Sequence, residues 1–64
     1  MKVHIAFQGY DYEGRDVLGV FESKEKAHAL LGVEPNHHLD YWMRGHFSKE
    51  IFADYVEIET WDVE

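Results

Sequence analysis

The stretch RDVLGVFESKEKAHALLG, residues 15–32, decides the fold because it changes from a strand pattern to a helix pattern within one run. Apolar residues crowd positions 17–21, as is typical of a strand that packs on both faces. Ser23 can cap a first helical turn, and Gly32 can take the left-handed conformation that ends a helix. Between them an apolar stripe recurs at helical spacing, formed by Ala27, Leu30 and Leu31. The pattern predicts a helix over about residues 24–31, too short to be stable unless it packs on a sheet.

The segments on either side predict two further strands and a turn. Residues 2–9 alternate, and we expect the face formed by Val3, Ile5 and Phe7 to lie in the core. Residues 9–14, GYDYEG, are rich in turn formers and predict a hairpin. The last strand is predicted over residues 54–63. Its core face would carry Val56, Ile58 and Thr60, and its other face Tyr55, Glu57, Glu59 and Trp61.

Residues 33–53 are read as a linker and a second helical segment. Pro35 disfavours helix at the residue before it. An apolar stripe at helical spacing then predicts one or two turns over about 37–44, formed by Leu39, Trp42, Met43 and Phe47. The predicted fold is α+β, in the order β-β-α-β. It has a three-stranded antiparallel sheet in the spatial order 2-1-3, a main helix on one face and this short helical segment before the last strand. The face away from the helix would show His4, Ala6, Tyr55 and Trp61.

The opening MKVHIAFQGYDYEG, followed by GVFESKEKAHALL, resembles a group of small uncharacterised bacterial and bacteriophage proteins. They share an M-K-V first strand, a tyrosine-containing hairpin and a G-V-F-x-S-x-E-K-A strand-to-helix motif. The likeness covers residues 1–32 and, more loosely, the acidic end YVEIETWDVE. The group is a domain of unknown function, so the resemblance implies a fold and no catalytic residues. Residues 33–53 depart from this pattern, because this segment is longer and more aromatic than the corresponding part of the group.

Composition limits the classes of function. Sixty-four residues indicate a single domain over residues 1–64, marginally stable on its own. The formal net charge of -7 argues against direct binding to nucleic acid. The absence of cysteine excludes disulfides and thiolate metal sites and fits a reducing compartment. There is no apolar run long enough for a membrane span and no signal-peptide pattern. We expect a cytoplasmic protein, in the host cell if it is phage encoded.

Catalytic chemistry finds little support in the sequence. Ser23 and Ser48 both read as helix caps, and there is no cysteine or G-x-S-x-G motif. Glu57 and Glu59 lie about 6.6 Å apart on one face of a strand, but a carboxylate pair also needs a cleft to act on a substrate. The simpler interpretation is that Glu57 and Glu59 lie on a solvated strand face. We expect no enzyme activity and no cofactor.

A metal site is a weaker alternative. His37, Asp40 and His46 lie close in sequence, and His37 and Asp40 would share a helix face. The spacing matches no known ligand motif, and metal binding would need the helix to break at Gly45 to bring the donors together.

Binding to another protein is the function that the sequence favours. Two tryptophans, four tyrosines and four phenylalanines exceed what so small a core needs. The first hypothesis is a module, of phage or mobile-element origin, that binds and inhibits or modulates a host protein with a basic surface, such as a nucleic-acid-handling defence factor of the CRISPR or restriction type. Its carboxylate row could mimic a nucleic-acid backbone. The alternative is a structural or housekeeping homodimer with an aromatic interface. The candidate partner-binding residues are Tyr10, Tyr12, Tyr41, Trp42, Phe47, Glu57, Glu59, Trp61 and Asp62.

Overall fold

The computed structural model describes residues 1–35 and 39–63 of the chain. In this part the strands form one antiparallel sheet in the order β2-β1-β4-β3, with one helix between β2 and β3. The elements are β1 (Lys2–Tyr10), β2 (Gly14–Phe21), α1 (Lys24–Leu31), β3 (Tyr41–Met43) and β4 (Tyr55–Asp62).

Helix α1 begins and ends where the sequence predicts. The Ser23 hydroxyl accepts a hydrogen bond from the Lys26 amide at 3.3 Å, which satisfies a free donor of the first turn. Gly32 ends the helix at φ 67°, and its amide donates to the His28 carbonyl at 2.9 Å. Among the described residues no helix is long and apolar enough to cross a membrane.

The prediction of a three-stranded sheet with a second helical segment is wrong. Residues 41–43 form the edge strand β3, which pairs with β4 so that Trp42 lies opposite Val56. Of the residues in the apparent helical stripe, Leu39 and Met43 are exposed. The burial of this segment therefore alternates with the period of a strand. Strand pairing buries Trp42 and lets its indole N–H donate to the Glu34 carbonyl at 2.9 Å, so the tertiary contact overrides the helical spacing.

The prediction for the core face of β1 is also wrong. The register pairs Ala6 with Ile58, and both belong to the core beneath α1, together with Ala27 of the helix. Val3, Ile5 and Phe7 therefore lie on the opposite face, with Tyr55 and Trp61, while His4 and Ala6 lie under the helix. On β1 the face with the larger apolar residues points away from the helix, and the face under the helix carries His4 and Gln8 beside Ala6, so alternation alone indicates the wrong face. The small side chains of Ala6 and Ala27, both fully buried, allow the helix to approach the sheet closely.

The connection from β3 to β4 closes one end of the core. Phe47 is buried with the core residues, and the amide of Ser48 donates to the Leu31 carbonyl at 2.8 Å. The amide of Asp54 donates to the Gly9 carbonyl at 2.9 Å, immediately before β4 begins. These bonds hold the loop of residues 44–53 against the end of α1 and the sheet.

Candidate functional site on the open face of the sheet

The sheet face opposite α1 is the candidate site, and it is named the open face. Its members follow from the strand registers, which place paired residues on the same side of the sheet. They are Val3, Ile5, Phe7 and Gly9 of β1, Arg15, Val17 and Val20 of β2, Tyr41 and Met43 of β3, and Tyr55, Glu57, Glu59 and Trp61 of β4.

Arg15 crosses the open face and ties three strands together. Its guanidinium lies over the ring of Phe7, with Cζ 3.9 Å from the ring centroid. One terminal nitrogen donates to Glu57, and the other lies 2.6 Å from Glu59 Oε2. The hydrogen bond to Glu57 is the main cause that raises the pKa of Arg15 above its usual range, and desolvation opposes it. The guanidinium is therefore a fixed positive charge held between two carboxylates.

The position of Arg15 is set by the hairpin. Tyr10 pairs with Gly14, so Arg15 falls opposite Gly9 and next to the Phe7 side chain. The register shifts between Ala6 and Phe7, where β2 carries an extra residue at an edge of the sheet. The bulge changes the pairing of β2 beyond this point, so both Arg15 and Val20 fall on the open face.

Tyrosines cover the end of the open face nearest the hairpin. A Cβ on Gly9 would lie 2.0 Å from Cζ of Tyr55, so the ring of Tyr55 lies directly on the bare backbone of Gly9. The ring of Tyr41 stacks on that of Tyr55, with centroids 5.1 Å apart and planes inclined by 22°. The two rings therefore form one aromatic surface at this end of the open face.

Large apolar side chains surround the charged group and remain exposed. Trp61 is 55% exposed, Met43 65% and Val20 60%. Val17 and Tyr41 are exposed as well. Isolated exposed apolar residues are ordinary, but several on one sheet face are typical of surfaces that proteins use for binding.

The structure brings four of the nine predicted partner-binding residues onto the open face. These four are Tyr41, Glu57, Glu59 and Trp61. Two others are exposed elsewhere: Tyr12 at the tip of the hairpin, and Asp62 with a carboxylate oxygen 3.8 Å from the N-terminal amine.

The other three predicted partner-binding residues contribute to the core. Trp42 and Phe47 are buried members of the core cluster. Tyr10 is partly buried and packs against that cluster. Their aromatic surface is used inside the chain, which leaves them little area for a partner.

In the structure, residues of the predicted metal site, the carboxylate pair and Ser48 make other contacts. The carboxylate of Asp40 accepts a hydrogen bond from Lys24 at 2.9 Å, and His46 is exposed. His37 lies outside the described residues, and within 1–35 and 39–63 no three metal-ligating side chains group together. Arg15 holds both Glu57 and Glu59, while the Ser48 hydroxyl accepts from the Glu50 amide at 3.3 Å.

Sequence reasoning missed Arg15, which organises the site. A signal was present in the hairpin, because pairing Tyr10 with Gly14 across the turn would place Arg15 opposite Gly9 and beside Phe7. The prediction that Phe7 faces the core conceals this signal.

Comparison with known proteins identifies the chain only at the level of a family. A family model described as "Domain of unknown function (DUF7336)" matches residues 1–64. No curated protein matches significantly. No solved structure does so either.

Proposed function

Because the chain belongs to the DUF7336 family, a domain of unknown function, we propose its function from geometry: it is a small, non-enzymatic module that binds a partner protein through the open face. The supporting observation is the apolar surface on this face, where Trp61, Met43 and Val20 are each more than half exposed. Exposed aromatic and aliphatic side chains beside a charged group are the usual composition of a binding surface.

The partner offers a basic surface with apolar residues at its centre. On the open face two carboxylates share one guanidinium, which leaves an excess of negative charge. At the adjoining hairpin, the carboxylates of Asp11, Glu13 and Asp16 have no cation within ion-pair distance in the described part of the chain. With a net charge of -7, the acidic chain would steer a basic partner toward itself, and the apolar residues would then anchor it.

More specifically, we propose that the partner is a host protein that handles nucleic acid, such as a defence factor. The module, encoded by a phage or mobile element, inhibits or modulates it. The acidic charge and the resemblance to small bacterial and bacteriophage proteins support this proposal. Glu57 and Glu59 contribute less to mimicry of a phosphate backbone than their spacing indicates, because Arg15 compensates part of their charge. The hairpin carboxylates are better placed for that role.

The first test compares binding by an open-face variant with binding by a matched control. Trp61→Ser removes an exposed aromatic from the open face, and Leu30→Ser removes an exposed apolar residue from the helix side. Wild type and Leu30→Ser should retain the same protein from a host lysate. Once that protein is purified, Trp61→Ser should bind it at least about tenfold more weakly than wild type does, as expected for an aromatic anchor worth ~1.4 kcal/mol or more. Equal binding by all three would refute the proposal.

The second test concerns charge. Glu13→Lys in the hairpin should slow association with the same partner and reduce its salt dependence, while Glu25→Lys on the exposed side of α1 should change both less. An association rate that does not depend on salt in wild type would contradict steering by acidic charge.

A homodimer is the second candidate, and the open face also favours it. Arg15 compensates part of the charge of Glu57 and Glu59, so like-charge repulsion would be weaker there than at the hairpin carboxylates. The predicted interface around Trp42 is not available, because that side chain is buried. Molar mass by light scattering at low and high salt separates the two functions: a salt-resistant dimer that Trp61→Ser converts to monomer supports the homodimer, and a wild-type monomer rejects it.

A further inference from the structure

We infer that the loop of residues 44–53 forms a second site, which binds a small carboxylate with an apolar body. A cavity of about 360 Å³ opens in this loop, within the size range of small-molecule sites. The cavity is lined by the loop that connects β3 to β4 and does not include open-face residues. The inference therefore does not depend on the proposed partner interaction.

The charge of the lining distinguishes this cavity from the rest of the molecule. Arg44 and Lys49 line it, and no acidic residue does. The chain as a whole has thirteen acidic residues against six basic ones. Asp54 compensates Arg44 from outside the lining, so Lys49 is the cation that makes this cavity complementary to an anion.

The two cations differ in how they are held. Arg44 is fixed by hydrogen bonds from Nη2 to Asp54 at 3.0 Å and from Nε to the Ala53 carbonyl at 3.3 Å. A guanidinium has five N–H donors, so others remain for a ligand. The ammonium of Lys49 has no carboxylate within ion-pair distance among the described residues. Lys49 can therefore move to meet a ligand carboxylate, while Arg44 offers a preset donor.

The rest of the lining selects an apolar ligand body. Phe47, Ile51 and Ala53 supply apolar wall, and Phe47 and Ala53 are buried members of the core. Phe52, which also lines the cavity, is 84% exposed. An exposed phenylalanine on a cavity wall can cover the apolar part of a ligand and lose contact with water as it does so.

The volume limits the size of the ligand. With about 30 Å³ for each water molecule in the liquid, the cavity holds about a dozen non-hydrogen atoms. Phenylacetate fits this limit and presents one ring and one carboxylate. Phenylacetamide has nearly the same shape without the charge. The pair thus separates recognition of the carboxylate from burial of the ring.

The experiment is a titration of the full ¹⁵N-labelled chain with each compound, followed by amide chemical shifts. Phenylacetate should shift the amides of Gly45, Ser48, Lys49 and Ala53 in a saturable manner and leave those of β1 and β2 unchanged. Phenylacetamide should bind at least about fivefold more weakly at low salt, the factor for an exposed ion pair of about 1 kcal/mol. Equal affinity of the two compounds, or no saturable shift at these residues, would overturn the inference.

Variants then test the named side chains. Lys49→Gln should weaken phenylacetate by about fivefold at low salt and leave phenylacetamide unchanged. Lys2→Gln, which removes the same charge from the far end of β1, should affect neither compound. Phe52→Ala should weaken both compounds alike. Wild-type affinity in Lys49→Gln would overturn the assignment of Lys49 to the site, and an equal loss in Lys2→Gln would show that net charge and not this cavity is responsible.

Discussion

Single residues determine how the open face is built, and Gly9 is the clearest case. Its missing side chain is what allows the ring of Tyr55 to lie on the backbone of β1. A strand glycine covered by an aromatic ring from a neighbouring strand loses the disadvantage that glycine otherwise brings to a sheet. The tyrosine stack therefore depends on the absence of a Cβ atom at Gly9.

Gly9→Ala should destabilise the protein because the new Cβ would displace the Tyr55 ring and break its stack with Tyr41. We expect a loss of about 1 kcal/mol in the free energy of unfolding by urea, since the ring can swing away. In a Tyr55→Ala background the same change should cost nothing or stabilise, because alanine suits a strand better than glycine. An equal cost in both backgrounds would exclude the ring as the cause.

Arg15 is the second residue that decides the surface. Arg15→Gln should lower the melting temperature, because Glu57 and Glu59 would then lie near each other without a cation. Adding Glu57→Gln and Glu59→Gln should recover most of the loss, since the repulsion disappears with the charges.

The pH dependence of this ion pair follows from the raised pKa of Arg15. A raised pKa stabilises the folded state below the unfolded pKa and loses that effect only as the pH rises through the folded value. For a guanidinium this window lies above any working pH. The melting-temperature difference between wild type and Arg15→Gln should therefore stay constant from pH 6 to pH 9. A marked change over this range would contradict the account.

At the scale of elements, α1 is specified by signals that are local in sequence, whereas β3 is specified by its pairing with a distant strand. The eight residues of α1 are held by a side-chain cap at one end and a left-handed glycine at the other, and these signals are local in sequence. Strand β3 has only three residues and no such signals. Its existence depends on pairing with β4, which lies more than ten residues further along the chain.

Two glycine substitutions can separate backbone strain from packing at the end of α1. Gly32 and Gly14 both have positive φ, 67° and 82°, but a Cβ on Gly32 would lie 3.0 Å from Cβ of Ser48, whereas one on Gly14 meets nothing within 4 Å. Gly14→Ala should cost about 1–2 kcal/mol from the backbone alone. Gly32→Ala should cost about 1 kcal/mol more in denaturant unfolding, from the added crowding against Ser48. Equal costs would mean that the contact with Ser48 has no effect.

At the scale of the whole molecule, the small core leaves little reserve of stability. A chain of 64 residues has an expected stability of about 3–10 kcal/mol, from ~0.05–0.15 kcal/mol per residue. Its buried apolar residues include one tryptophan, Trp42, on the edge strand β3. The core therefore depends on an element that is weak by itself.

Trp42→Ala should lower the free energy of unfolding by about 3–5 kcal/mol, a large part of the total, because it removes a buried tryptophan. Far-UV circular dichroism and a thermal melt measure this directly. Trp61→Ala is the matched control, since Trp61 is exposed and its loss should cost less than about 1 kcal/mol. A folded Trp42→Ala protein of altered molar mass would instead assign Trp42 to an interface.

The sequence by itself determined the elements whose signals are local: β1, the hairpin, β2, the capped helix α1 and the last strand. It also determined the alternation of β4, because Glu57 and Glu59 on one face and Val56 and Ile58 on the other distinguish the two faces. The tertiary structure decided which face of β1 lies under the helix, that residues 41–43 join the sheet, and that Arg15 compensates Glu57 and Glu59. The physical reason is that the small Ala6, and not the larger apolar residues of β1, packs beneath the helix, and that the pairing of β3 and the reach of Arg15 are long-range contacts, which local periodicity does not encode.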